Sequence, residues 1–237
     1  MKKSGCCSKT CRNIITMVEK KSFMSFALDK LGYKSKEDLY ENLYLKAFID
    51  SYHRIGKDAI LEEKIRDRFV FDLERENPLT KDWIQRQILF LNWERWINVS
   101  EEEKSRADIS FSISGCGEFM IECKRLKYAD TRYLDGGIKR FVELKYAKYD
   151  SHAGMIGFVI GGEIKQIVNI LKPKINDFHF SPGCENLLKK SCSDWEYSFQ
   201  SRHDRSNNTY IHLYHLFFDF IPMRCDSKKS PQMSGEG

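Results

Sequence analysis

Asp108, Glu122 and Lys124 have the residue types and spacing of a hydrolytic metal site. They lie in residues 106–126, RADISFSISGCGEFMIECKRL, where two runs alternate polar and apolar residues on either side of a Gly-rich turn. That period of two is the mark of half-buried strands. Ile109, Phe111 and Ile113 share one face, as do Phe119, Ile121 and Cys123, so both polar faces must point the same way. A loop at residues 114–116 pairs Ile113 with Gly117 and sets Asp108 across from Glu122. A loop at residues 115–117 pairs Asp108 with Lys124 and leaves Glu122 on the diagonal. Either register gathers two carboxylates and an ammonium. Carboxylates this close repel unless a cation lies between them, and hard oxygen ligands suit Mg²⁺ or Mn²⁺. Beside such an ion a lysine can hold an attacking water or offset charge on phosphate. The chemistry indicated is metal-assisted phosphodiester hydrolysis.

In this stretch the chain resembles the PD-(D/E)xK, or restriction-endonuclease-like, nucleases, with Asp108 as the aspartate and Glu122-Cys123-Lys124 as the ExK. Ala107 stands where the motif name has proline. The resemblance covers residues 55–221. It implies Asp108 and Glu122 as metal ligands, the Cys123 carbonyl as a backbone ligand and Lys124 as the catalytic lysine, with Mg²⁺ or Mn²⁺ as cofactor. It also implies nucleic acid as substrate, DNA ahead of RNA, and a role in restriction or antiphage defence, as a homodimer or with a partner subunit. The alternative is a catalytically silent subunit that keeps the fold and binds nucleic acid or protein.

The triplet alone is weak, because with 31% charged residues the chain has seven (D/E)xK triplets, ending at Lys21, Lys64, Lys104, Lys124, Lys145, Lys165 and Lys228. Only the one at Lys124 joins strand alternation to a preceding strand with a matched aspartate. In residues 58–73 a helical stripe contains Ile65, Phe69, Leu73 and Glu62. An inward carboxylate needs a partner, so Glu62 is either a further metal ligand or the mate of Arg66, with Glu63 turned toward solvent. Downstream, Asp135 is placed to cap a helix running to about Tyr149. Its basic side, with Lys139, Arg140, Lys145 and Lys148, could face phosphates or simply water. Residues 155–160 read as a strand covered on both faces.

The expected fold is α/β: a restriction-endonuclease-like mixed sheet flanked by helices, over residues 54–225, after an N-terminal helical subdomain at residues 1–53. Within the latter, Ser35 should start a helix through about Ser51. Residues 79–97 read as a second long helix begun by Thr80, with Trp83, Trp93 and Trp96 in the core. A helix from residue 163 should close at Pro173, and residues 175–208 read as irregular. Residues 209–220 are a sheet-central strand with His212 and His215 packed inside it. His203 and Arg205, entering that strand, either contact phosphate or belong to an ordinary surface loop. Residues 226–237 are an expected disordered tail.

A net charge of +5 permits nucleic-acid binding without demanding it. The N-terminal MKKSGCCSKTC lacks a signal-peptide core and no apolar run is long enough to span a bilayer, so the expected location is cytoplasmic, with no membrane partner. Eight cysteines are then expected as thiols. Cys6, Cys7, Cys11, Cys184, Cys192 and Cys225, with His179, lack the paired spacing of a zinc site.

Overall fold

A computed structural model describes residues 23–98, 104–178 and 194–221. The N-terminal cysteines, Cys184, Cys192, Cys225, His179 and the expected tail lie outside the described residues. Residues 23–30 are helical, and Ser35 caps the helix that follows as its sequence requires, its Oγ accepting the Asp38 N–H. Helix α1 comprises Lys36–Leu39, a π-helical Tyr40–Leu45 and Lys46–Arg54. Then follow α2 (Glu62–Arg75), α3 (Lys81–Gln85), β1 (Leu89–Asn98), β2 (Lys104–Ile113) and β3 (Gly117–Leu126). Helix α4 joins a π-helical Leu134–Ile138 to Lys139–Val142 and leads into β4 (His152–Val159). After α5 (Ile164–Asn176) come β5 (Ser198–Asp204) and β6 (Tyr210–Asp219).

Among the described residues the strands form one mixed sheet of order β1-β2-β3-β4-β6-β5. Parallel pairing links β3 to β4 and β4 to β6, and the outer pairs are antiparallel. One face of the sheet packs on α1 and α2. There Ile109, Phe111, Phe119 and Cys123 meet Tyr44, Phe48 and Phe69, with Tyr44 stacked on Phe111 at 4.6 Å between ring centres. The other face packs on α4 and α5 through Phe141, Met155, Leu171 and Phe217. Every residue of β4 is buried, as a strand covered on both faces must be. At Gly157 an added Cβ would lie 2.5 Å from the Phe217 ring, so the close approach of β6 to β4 needs glycine there. The chain is therefore mixed α/β, with helices flanking a mixed sheet.

Several expectations change. Helix α1 is part of the main core, not of a separate subdomain: Leu39, Leu43, Ala47 and Phe48 pack with the sheet residues. Residues 79–97 do not form one helix. Helicity stops at Gln85, Gln87 takes a positive φ of 57°, and residues 89–98 become strand β1, at the edge of the sheet among the described residues. Trp83 packs against the core, but Trp93 and Trp96 are exposed. The periodicity of that apolar segment suits both elements, and pairing with β2 decides for strand. Thr80 makes no side-chain cap; its Oγ donates to the Leu73 carbonyl instead. Helix α4 ends at Val142, well short of Tyr149, and Asp135 lies inside its first turn without capping it. Helix α5 runs through Pro173 to Asn176, because Ile175 is buried and tertiary packing outweighs one lost hydrogen bond. Residues 198–204, read as irregular, are strand β5.

Candidate functional site

The β2–β3 hairpin adopts the first of the two registers, with Ile113 opposite Gly117 and Ile109 opposite Ile121. Asp108 and Glu122 are the next residues beyond that last pair on the same two strands. Asp108 accepts a hydrogen bond from the Cys123 N–H at Oδ2 (2.8 Å) and one from Arg66 Nη1 at Oδ1 (3.1 Å). Glu122 is 1% exposed, and its Oε1 accepts from Lys124 Nζ at 2.5 Å and Arg140 Nη1 at 3.1 Å. Its second oxygen, Oε2, is buried with no hydrogen-bond partner. Lys124 Nζ also donates to the Cys123 carbonyl at 2.9 Å. Asp108, Glu122, the Cys123 carbonyl and Lys124 thus meet in one place.

The electrostatics follow from this crowding. Burial, reinforced by Asp108, raises the Glu122 carboxyl to about 7 against the pull of Lys124 and Arg140. Burial alone would lower the Lys124 ammonium, yet Glu122 and Asp108 outweigh it and its pKa rises. A carboxylate near neutrality beside a lysine held charged is a common signature of functional sites. Burial lifts the Cys123 thiol well above its ordinary value, which keeps it a core side chain and no nucleophile.

Helix α4 covers the site, passing close to Lys124 and Met155 at its two glycines. A Cβ at Gly136 would rest 3.6 Å from Lys124 Cε, and one at Gly137 would strike Met155 Cε at 2.4 Å. On the open side, a cavity of about 290 Å³ is lined by Leu61, Glu62, Glu63, Lys124, Arg125 and Arg132. The ammonium of the hairpin therefore has access to solvent.

Glu62 lines that cavity on the inward side of α2, but it is not paired with Arg66: its Oε2 accepts the Arg125 N–H at 2.6 Å. It is not gathered with Asp108 and Glu122. Among the described residues no group of three or more His, Cys, Asp or Glu side chains is set to hold an ion. Arg140 points into the site and is bonded to Glu122 and to the Tyr146 hydroxyl. Lys139 and Lys145 stay on the surface, each near Glu143 at 3.7 and 4.0 Å. His203 and Arg205 are buried, which corrects both earlier readings, phosphate contact and surface loop. His203 is bonded to Ser201. Arg205 donates to the carbonyls of Phe141, Ala147 and Asp150, clamping the segment after α4.

Two participants were missed in the sequence. Arg66 is 5% exposed and bridges Asp108 to Glu94, whose Oε1 lies 2.6 Å from its Nη2. Its signal was its place one turn after Glu62 on the inward side of α2. Glu94 lies between Trp93, paired with Ile109, and Arg95, paired with Ala107, which puts it across from Asp108. It holds a positive φ of 52°, a strained conformation that clusters at functional sites. Nothing in a segment read as helix pointed to it. Compared with known proteins, the chain matches no family, no curated protein and no solved structure.

Proposed function

We propose that this chain is a Mg²⁺- or Mn²⁺-dependent nuclease of the restriction-endonuclease-like kind, hydrolysing phosphodiester bonds of DNA. The observation that carries the reading is the convergence of the three residues at Cys123, whose N–H donates to Asp108 and whose carbonyl, like Glu122, accepts from Lys124, beside a solvent-open cavity. The donor set fits a small hard cation. Glu122 Oε2 is a buried carboxyl oxygen with no hydrogen-bond partner, and the Asp108 oxygens and Cys123 carbonyl retain lone pairs beyond their single protein contacts. Mg²⁺ is commonly held by one or two carboxylates, with waters completing its octahedron. Asp108, Glu122 and the Cys123 carbonyl would hold the ion, which when bound polarises a phosphoryl oxygen and makes water nucleophilic near neutral pH. Lys124 orients the attacking water and opposes the charge that builds on the phosphate. Arg66 fixes the Asp108 carboxylate from behind, and Arg140 does the same for Glu122. A place in restriction or antiphage defence is the setting this activity suggests.

One observation favours a second reading, a nuclease-like subunit without catalysis. Asp108 and Glu122 each already bear an arginine, Arg66 and Arg140, so the acidic pair is largely neutralised by the protein itself. The purified chain, incubated with linear, circular and single-stranded DNA and with RNA in Mg²⁺, Mn²⁺ or chelator, decides between them. Nuclease action predicts metal-dependent cleavage that falls by a hundredfold or so, or more, in both Asp108→Ala and Lys124→Ala. Cleavage at the wild-type rate in either variant ends the proposal.

A further inference from the structure

Strand β1 carries three large aromatic side chains into solvent, of which Trp96 lies on the sheet face of Asp108 and near it, Phe90 on that face farther along, and Trp93 on the opposite face. Trp96 is 64% exposed, Phe90 46% and Trp93 45%. Trp96 is also paired with a cation, since the Arg106 guanidinium lies 5.9 Å from its ring centre. Arg106 is connected to both carboxylates of the site. Through its side chain it reaches Glu94 Oε1 at 3.4 Å, and Glu94 is held by the Arg66 that holds Asp108. Through its carbonyl it accepts the Tyr146 hydroxyl at 2.5 Å, and Tyr146 accepts from the Arg140 that holds Glu122. Trp96 pairs with Arg106 in the β1–β2 ladder, one strand over and two residues along from Asp108. In an ordinary antiparallel ladder that diagonal spans roughly 7–8 Å.

We infer that Trp96 and Arg106 form a stacking platform for an unpaired base of single-stranded DNA whose backbone passes the Asp108–Glu122 site. An exposed indole offers a π-face to any base, whereas the bases of an intact duplex are already stacked on each other. The guanidinium beside the ring supplies the charge that a phosphate backbone requires. The inference rests on the nuclease reading only for what happens after binding. The competing occupant is a second copy of this chain, because an edge strand with exposed aromatic residues can also pair with another edge.

Binding of a fluorescein-labelled oligothymidine, followed by anisotropy in chelator so that nothing is cleaved, tests the platform. In Trp96→Ala the affinity should fall about five- to 150-fold, the equivalent of roughly 1–3 kcal/mol per stacked base. Affinity for a blunt duplex should change far less. Quenching of tryptophan emission by the same oligonucleotide, diminished in Trp96→Phe, reads the contact without truncating the side chain. Unchanged oligothymidine affinity in a folded Trp96→Ala overturns the inference, as does an equal loss on duplex. So does a wild-type dimer that becomes a monomer in Trp96→Ala while oligonucleotide affinity stays the same. A protein that binds through Trp96 but cleaves nothing in Mg²⁺ or Mn²⁺ keeps the platform and removes the nuclease reading. Cleavage of single strands independent of Trp96 does the reverse.

Discussion

Asp108, Glu122 and Lys124 lie on β2 and β3 and are held by Arg66 of α2 and Arg140 of α4, and a second buried polar cluster lies on β5 and β6. In the second cluster the Tyr133 hydroxyl meets His215 Nδ1 at 2.9 Å, His215 Nε2 meets Ser201 Oγ at 2.8 Å, and Ser201 Oγ meets His203 Nε2 at 2.7 Å. Nearby, Arg205 spends its guanidinium on three backbone carbonyls. These groups are neutral or satisfied by neutral partners, and they tie α4 and its following loop to the sheet. The β2–β3 cluster instead concentrates charged groups and leaves one buried carboxyl oxygen, Glu122 Oε2, without a partner. A buried polar network with every member paired makes a fold rigid, whereas one with a spare valence is built at a cost to stability. The contrast separates residues that position the site from residues that can act in it.

The largest expected effect is on catalysis. Lys124→Ala should reduce metal-dependent cleavage by two orders of magnitude or so, a loss that persists per folded molecule after allowance for the stability lost by unpairing Glu122. A large loss of stability with little loss of cleavage would place Lys124 among the structural residues and erase the contrast. Next comes Arg205→Ala, which strands the carbonyls of Phe141, Ala147 and Asp150. Denaturant unfolding should show a loss of about 2–4 kcal/mol, with oligonucleotide affinity per folded molecule unchanged. A selective drop in affinity at full stability would return Arg205 to the binding surface.

A third difference concerns pH. Burial lowers the His203 imidazole to about 4, so between the unfolded value near 6.5 and about 4 the unfolded chain carries the extra proton. The stability contributed by the neutral ring is complete above about 6.5 and lost as pH falls toward 4, by up to about 3 kcal/mol. Glu122, raised to about 7, acts in the opposite sense over much of that window, so the wild-type curve alone would conceal it. The stability difference between wild type and His203→Gln should therefore shrink on acidification in urea melts at a series of pH values. A constant difference would show that the ring titrates normally. The smallest effect belongs to Lys139→Ala. Its surface pairing with Glu143 should contribute at most about 0.5 kcal/mol, and if Lys139 touches phosphate the salt slope of DNA binding should fall by about one.

The hairpin was legible because alternation is local: Ile109, Phe111 and Ile113 against Phe119, Ile121 and Cys123 leave few ways to pair, and a buried face excludes a one-residue slip. The same local rule exposed the α2 stripe of Ile65, Phe69 and Leu73 and the buried strands β4 and β6. It failed at residues 79–97, where an apolar, tryptophan-rich segment satisfies helix and strand alike until β2 claims it. It failed again at β5, where Ser201 and His203 occupy inward positions and hide the apolar face that a strand normally shows.

Taken alone, the chain determined where two carboxylates and a lysine could be brought together and narrowed their pairing to two registers, of which the folded hairpin takes one. Only the tertiary structure decided what surrounds them. Arg66 reaches Asp108 across 42 positions of sequence and Arg140 reaches Glu122 across 18. The outward turn of Trp96 and the burial of Arg205 likewise depend on which elements lie alongside. Side-chain period is set by neighbours in the chain, whereas the partner of a buried charge is set by whatever packing brings within about 3 Å of it.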